Sequence, residues 1–284
     1  MKKWNRLLLS AAAAASLLLA ESKRERRKVK KTVYKIPRNI TPKGMHGKTV
    51  CFLTDFHESE GGHNNAEILR IVDDLKPSFL VLGGDIFNGR DTLEKTGPAM
   101  DLIQSLADEY PVYYGIGNHE KRIMNNIYGN GEIWDSFLSQ KPRMVQLLDN
   151  ASEHFEQVCI TGLDLPLIYY KRGIHMKLSV EDMNQMIGKK KEDTYTILLA
   201  HDPEYMDTYL KWGADLVLSG HFHGGMVRVP GLGGVISPHL SVFPSYDYGY
   251  YQNGNQISII SSGLGQHSIP VRLGNLPEVV VIQF

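Results

Sequence analysis

Eight side chains in this 284-residue sequence could hold cations or move protons, and each follows a short apolar run. Asp55 and His57 end TVCFLTDFH (49–57), and Asp85 ends SFLVLGGD (78–85). Asn118 and His119 fall in PVYYGIGNHE (111–120), His201 in TYTILLAHDP (194–203), and His221 and His223 in ADLVLSGHFH (214–223). Carboxylate, amide and imidazole donors without a thiolate suit divalent cations such as manganese, iron or zinc better than a structural zinc site. An Asp or His alone after a strand is ordinarily a cap or a hydrogen-bonded residue. His46, His63, His154, His175, His239 and His267 are read that way. His221 and His223 differ because they are paired: strand geometry would point both to one side, and the glycines after them would let backbone approach a ligand closely.

Elements must bring these residues together. Runs nearly continuous in apolar residues fit strands buried on both faces. Besides the five above they are VCITGLD (158–164), ISIISSGLG (257–265) and EVVVIQF (278–284). Helix-like segments at 65–75, 98–107, 179–187 and 203–212 lie between them. In the first, Ala66, Ile68, Leu69, Val72 and Leu75 recur at helical spacing, with Asn65 placed to cap. Alternating strand and helix implies an α/β domain. In such sheets ligands gather beyond the carboxyl ends of the strands, so five runs deliver their polar residues to one rim. Cys51 and Cys159 sit inside apolar runs and read as reduced core residues.

Zero net charge hides an asymmetry. The first 43 residues carry 13 Lys/Arg and 2 Asp/Glu, a net of +11, and the remaining 241 carry 18 and 29, a net of −11. An acidic body disfavours nucleic acid, whose binding rests on phosphate neutralisation. Near the start, the 14 residues from Leu7 to Ala20 are uncharged. A helix that long covers roughly 21 Å, short of a ~30 Å hydrocarbon core. Basic flanks and a poor cleavage site favour an uncleaved signal anchor over residues 1–22, holding the protein at the cell membrane. Export after cleavage is the alternative. Residues 23–48 read as a basic linker and 49–284 as the globular domain, so a chain beginning near Lys43 is expected to be soluble and active.

The ordered series D-F-H, G-G-D, G-N-H-E, A-H-D-P and G-H-F-H resembles the five motifs of the calcineurin-like metallophosphoesterases. The likeness continues through VFPSYDYGYY and SSGLGQHSIPVRLGNLPEVVVIQF, which are similar to the bacterial YkuE/YaeI-like subgroup; Met226 departs from it, where glutamine is usual. The resemblance implies a four-layer αββα sandwich, two mixed sheets flanked by helices. It implies a first divalent metal on Asp55, His57, Asp85 and His223, and a second on Asp85, Asn118, His201 and His221, with Asp85 bridging. It implies hydrolysis of a phosphoester by a metal-bridged hydroxide, with manganese the expected metal, iron or zinc being possible, and His119 as proton donor to the leaving oxygen or as stabiliser of the transition-state charge. Glu120 and Asp202 are expected to orient neighbouring histidines or to serve as a plain salt bridge or cap. The expected partners are a phosphorylated small molecule or a lipid-linked substrate, and the membrane through the N-terminal segment. Alternatives are a pyrophosphatase for a membrane-lipid precursor of the UDP-diacylglucosamine type and a non-catalytic metal-binding scaffold. Selectivity is assigned to loops 58–64, 121–135 and 164–178. Tyr169, Tyr170, Lys171 and Arg172 read as a solvated loop, with a phosphate or sugar pocket as the other reading.

Overall fold

The structure, a computed structural model, describes residues 2–57, 65–174, 176–225, 228–229, 233–234, 244–265 and 272–284. His63, His175, Met226, His239 and His267, and the loop 58–64, lie outside the described residues. The strands are β1 Lys30–Lys35, β2 Thr49–Leu53, β3 Phe79–Leu82, β4 Val112–Gly115, β5 Val145–Leu148, β6 Ser152–Phe155, β7 Val158–Leu163, β8 Tyr195–Ala200, β9 Leu216–Ser219, β10 Arg228–Val229, β11 Gly233–Gly234, β12 Gly249–Asn253, β13 Gln256–Ile260 and β14 Glu278–Gln283. The α-helices are α1 Lys2–Glu25, α2 Asn65–Leu75, α3 Gly97–Ala107, α4 Asn118–Met124, α5 Glu132–Gln140, α6 Val180–Ile187 and α7 Met206–Trp212.

Two six-stranded sheets form, in the orders β1-β14-β2-β3-β4-β5 and β12-β13-β9-β8-β7-β6, beside the β10-β11 ribbon. Both are mixed: β2 to β5 and β7, β8, β9 and β13 run parallel, while β14 meets β2, and β6 and β12 meet their neighbours, antiparallel. Alternation along each strand divides its side chains between two cores. Val50, Phe52, Phe79 and Val81 pack with Ile197, Leu199, Leu216 and Leu218 between the sheets. Their neighbours Cys51, Leu53, Leu80 and Leu82 face α2, α3 and α5 through Ile68, Leu102 and Phe137. Leu198 and Val217 face α6 and α7 through Met183 and Met206. The layers are thus helix, sheet, sheet, helix, as expected. Both cysteines are free and buried.

The N-terminal boundary is corrected. Residues 30–35, expected in a linker, form β1, which pairs in parallel with β14 from Lys30↔Glu278 to Lys35↔Gln283. Charge hid it: KKTVYK places Lys31, Val33 and Lys35 outward and half-buries the residues between, an edge strand guarded by lysine. Likewise α1 continues to Glu25, past the expected end of the leader. No described helix is long and apolar enough to cross a membrane.

Candidate metal centre

The eight residues converge at the carboxyl ends of β2, β3, β4, β8 and β9. Local backbone aims them. Asp55, His57, Asp85, His221 and His223 all adopt left-handed conformations, with φ between 49° and 62°. Such φ values are uncommon for residues with a Cβ and gather where function over-determines the chain. His221 and His223 lie past the end of β9 in a tight turn, so strand alternation does not aim them together; they diverge to two groups of donors. Close approach requires glycine at two points. A Cβ on Gly117 would press on the Asp85 carboxylate, and one on Gly220 on the Asp55 carboxylate.

In the first group Asp55, His57 and His223 bring their ligand atoms within 4.8 Å of one another; in the second Asp85, His201 and His221 do so. Asp85 reaches both: its Oδ2 is 3.0 Å from His201 Nε2 and 3.7 Å from His57 Nε2. His201 Nδ1 faces the carbonyl of Gly83 at 2.8 Å. In a neutral ring the proton sits there, leaving the Nε2 lone pair aimed at the Asp85 carboxylate. His57 Nε2 and His223 Nε2 face each other at 3.2 Å. The Asn118 amide oxygen lies 2.9 Å from His221 Nδ1 and 3.2 Å from Asp85 Oδ2; turned over, the amide would donate to both. Acceptors converging on acceptors at these distances call for positive charge between them, and the oxygen and imidazole donors fit two divalent cations.

Burial and mutual charge act on the same residues. Burial, with His119 adding to it, pushes His57 down to about 3, so it is neutral and ligand-competent at neutral pH. Burial raises Asp55 to about 7 against the pull of His201. At His201 burial is outweighed by Asp85 and Asp55, and the ring is pushed up to about 10; a cation between the ring and Asp85 would take the place of that proton.

His119 opens α4 with its backbone N–H on Asp85 Oδ1 at 2.7 Å. Its Nδ1 accepts from Gly89 N at 2.8 Å, and its ring meets His57 edge-on at 4.5 Å. Glu120 takes the cap reading, its carboxylate accepting from the N-cap Gly117 of α4, and it also orients the backbone after β3. Its carboxylate accepts from the amides of Asp85 (2.7 Å), Ile86 (2.7 Å), Phe87 (3.1 Å) and Gly117 (3.1 Å), and from Tyr114 Oη (2.8 Å). Asp202 accepts from Glu204 N at 3.0 Å and caps a 3-10 turn. His46 and His154 are exposed.

A cavity of about 810 Å³ opens over the two donor groups. Arg90, Arg122, Lys171 and Arg172 line it with Tyr128, Leu167, Ile168 and Tyr170. Of residues 169–172, Lys171 and Arg172 are exposed, as the solvated-loop reading expects, while bordering the cavity, and Tyr170 departs from that reading. Tyr170 is buried edge-on against His221 at 5.2 Å, whereas Tyr169 packs on Tyr205. Arg90 and Arg122 escaped sequence reasoning because only the turn after β3 and the first helical turns after β4 bring them to the rim.

An αββα fold carrying paired His/Asp/Asn donor groups on one rim defines a dinuclear-metal phosphoesterase. Residues 48–225, more than half of the chain, match the calcineurin-like phosphoesterase family, and the chain belongs to it. It is 24% identical over 268 residues to the uncharacterized metallophosphoesterase YkuE of Bacillus subtilis, covering 89% of this chain and 84% of that one. It is 24% identical to YkoQ of the same organism, also described as an uncharacterized metallophosphoesterase, covering 82% of each. Among solved structures, a dimetal phosphatase from Danio rerio aligns over 77% of this chain and 88% of that chain, at 10% identity and a TM-score of 0.41. The chain is a metallophosphoesterase, a metal-dependent hydrolase acting on phosphoester bonds, and is similar to bacterial members such as YkuE.

Proposed function

We propose that the chain is a phosphodiesterase or phosphatase for a small or nucleotide-like substrate, with His119 giving the proton to the leaving oxygen. The tethering of His119 carries this reading. Because Nδ1 accepts the Gly89 amide proton, a neutral ring holds its own proton on Nε2 and can donate it. Two bound divalent cations, manganese by preference, supply charge to clamp the phosphate oxygens and to acidify the attacking water. Asp55, His57 and His223 would hold one, and Asn118, His201 and His221 the other, with Asp85 shared. Glu120 keeps the Asp85 backbone in its left-handed turn. Arg90, Arg122, Lys171 and Arg172 offset the remaining substrate charge.

A second reading takes the scissile bond as the pyrophosphate of a lipid precursor of the UDP-diacylglucosamine type. Leu167 and the exposed Ile168 give the cavity an apolar side. Leu9, Leu17, Leu18 and Leu19 of α1 are exposed, and seven Lys/Arg follow between Lys23 and Lys31. These features support α1 resting on an anionic membrane, where each basic residue contributes ~1 kcal/mol. Full-length protein with Mn²⁺ is to be assayed against bis-p-nitrophenyl phosphate, p-nitrophenyl phosphate and a UDP-linked lipid. Turnover of the nitrophenyl esters at least tenfold above that of the lipid supports the first reading; the reverse ranking supports the second.

A further inference from the structure

Ser22 and Glu25 lie one turn apart at the end of α1 and are both buried, whereas residues 16–20 of the same helix are exposed. The buried pair grips the loop before β14. Ser22 Oγ accepts from Arg272 N at 3.0 Å. The Glu25 carboxylate accepts from Gly274 N at 3.2 Å and Asn275 N at 3.3 Å. Two of the residues so held reach His223. Arg272 Nη2 lies 3.4 Å from His223 Nδ1, and Asn275 Nδ2 donates to the carbonyls of His223 and Gly225. The Arg272 guanidinium is itself fixed by the carbonyls of Ser262 at 2.8 Å and Asn275 at 3.3 Å, and by that of Gly265. Only one residue therefore separates the leader helix from a metal-type histidine. That histidine has φ +50°, a backbone state that persists only where its surroundings enforce it.

We infer that the last turn of α1 is a positioning element of the metal centre: Ser22 and Glu25 hold the loop from Arg272 to Asn275, which fixes His223 for the cation it shares with Asp55 and His57. The inference rests on reading these donors as a dinuclear metal site. Without Ser22 and Glu25 three amides, those of the buried Arg272 and Asn275 among them, lose their acceptors, and the loop relieves this by moving outward. His223 then loses the Asn275 bond that holds its carbonyl, and with it the enforcement of its backbone turn. The other donor group is held from elsewhere, His201 by Gly83 and Asn118 by its place at the start of α4. The effect is one-sided.

The test uses the full chain, stripped of metal and titrated calorimetrically with Mn²⁺. Wild type should take up two ions. Ser22→Ala/Glu25→Ala should weaken one of them by about 10–100-fold, the range for partners of metal ligands, and leave the other within about twofold. Glu25→Gln alone, which keeps an acceptor oxygen, should recover most of that affinity, and Glu21→Ala, on the exposed side of the helix, should change neither ion. On a His223→Ala background the double variant should have no further effect on metal uptake. Unchanged affinities, or two affinities falling together with the melting temperature, would overturn the inference; the single variant Ser22→Ala gives the same reading if the double variant does not fold. A wild type that binds fewer than two ions would instead overturn the metal-centre reading itself, whatever the variants do.

Discussion

The rings of His57 and His223 stack 5.1 Å apart at an interplanar angle of 13°, with their Nε2 atoms 3.2 Å from each other. Asp55 Oδ1 lies 3.3 Å from the second of these nitrogens. Two buried imidazoles and a carboxylate so arranged are held best by a cation. Metal should therefore stabilise the fold as well as serve catalysis. A site at a hundredfold its Kd contributes about 2.7 kcal/mol, worth several degrees in a chain of this size. Chelation should lower the melting temperature and Mn²⁺ should restore it, read by scanning calorimetry. An identical melting temperature with EDTA and with Mn²⁺ would count against the site.

Asp85 and His119 should separate metal binding from proton transfer. Asp85 serves both donor groups, so Asp85→Ala should abolish turnover and lower occupancy at both positions. His119→Ala should keep two metals per chain while kcat falls by ~10²–10⁴. The loss should be larger for an alkyl leaving group than for nitrophenolate, which needs no proton. Elemental analysis beside the kinetics checks both, and equal losses for the two leaving groups would remove the acid role from His119.

Much of this site was legible because the chemistry lies in single residues that end apolar runs. Strand periodicity then places them on one rim without tertiary information. The left-handed turns at Asp55 and Asp85 were not legible, since the glycines packed against them, Gly220 and Gly263 on Asp55 and Gly117 on Asp85, lie far away in sequence. The cap role of Glu120 is local and legible, but its other partners, the amides of residues 85–87, lie more than thirty positions away in sequence. Arg272 showed no signal for a similar reason: its place beside His223 depends on a loop closed by a helix some 250 residues earlier. The edge strand β1 escaped because lysine alternation reads as a solvated linker when no partner strand is in view.

Asp164, beside Lys121 and Asp149, gives a pH dependence of its own kind. Its side chain is buried beside Lys121. Burial pushes it up to about 7, Lys121 opposing and Asp149 adding to the rise. A carboxyl raised in the folded state favours folding most when protonated. Its contribution is present below the unfolded value of about 3.9 and is lost as pH climbs towards 7. Asp164→Asn should flatten that fall, by an amount on the order of a few kcal/mol between pH 4 and 7. Urea midpoints of the two proteins across that range check it; parallel curves would show that Lys121 already compensates the charge.

The position at which the chain can begin follows from β1 and from the end of α1. A chain starting near Lys43 lacks β1, so the edge of β14 that pairs from Glu278 to Gln283 is laid open. It also lacks Thr32, which donates to the buried Glu278 carboxylate at 2.5 Å, and Lys30, which pairs with it at 3.3 Å. Ser22 and Glu25 are gone as well. An open strand edge templates association, and the buried Glu278 carboxylate keeps Tyr248, Ser261 and Ser262 but loses the Thr32 hydroxyl and the Lys30 ion pair. The early expectation of a soluble, active protein from Lys43 onward is therefore reversed: that chain should aggregate or bind metal poorly. A chain starting at Glu21 keeps Ser22, Glu25 and β1 while shedding the exposed leucines of α1. It should be monodisperse by gel filtration, bind two Mn²⁺ per chain and no longer sediment with anionic vesicles that retain the full-length protein. Equal solubility and metal uptake by the two shortened chains would show that β1 and the clasp add nothing to the centre.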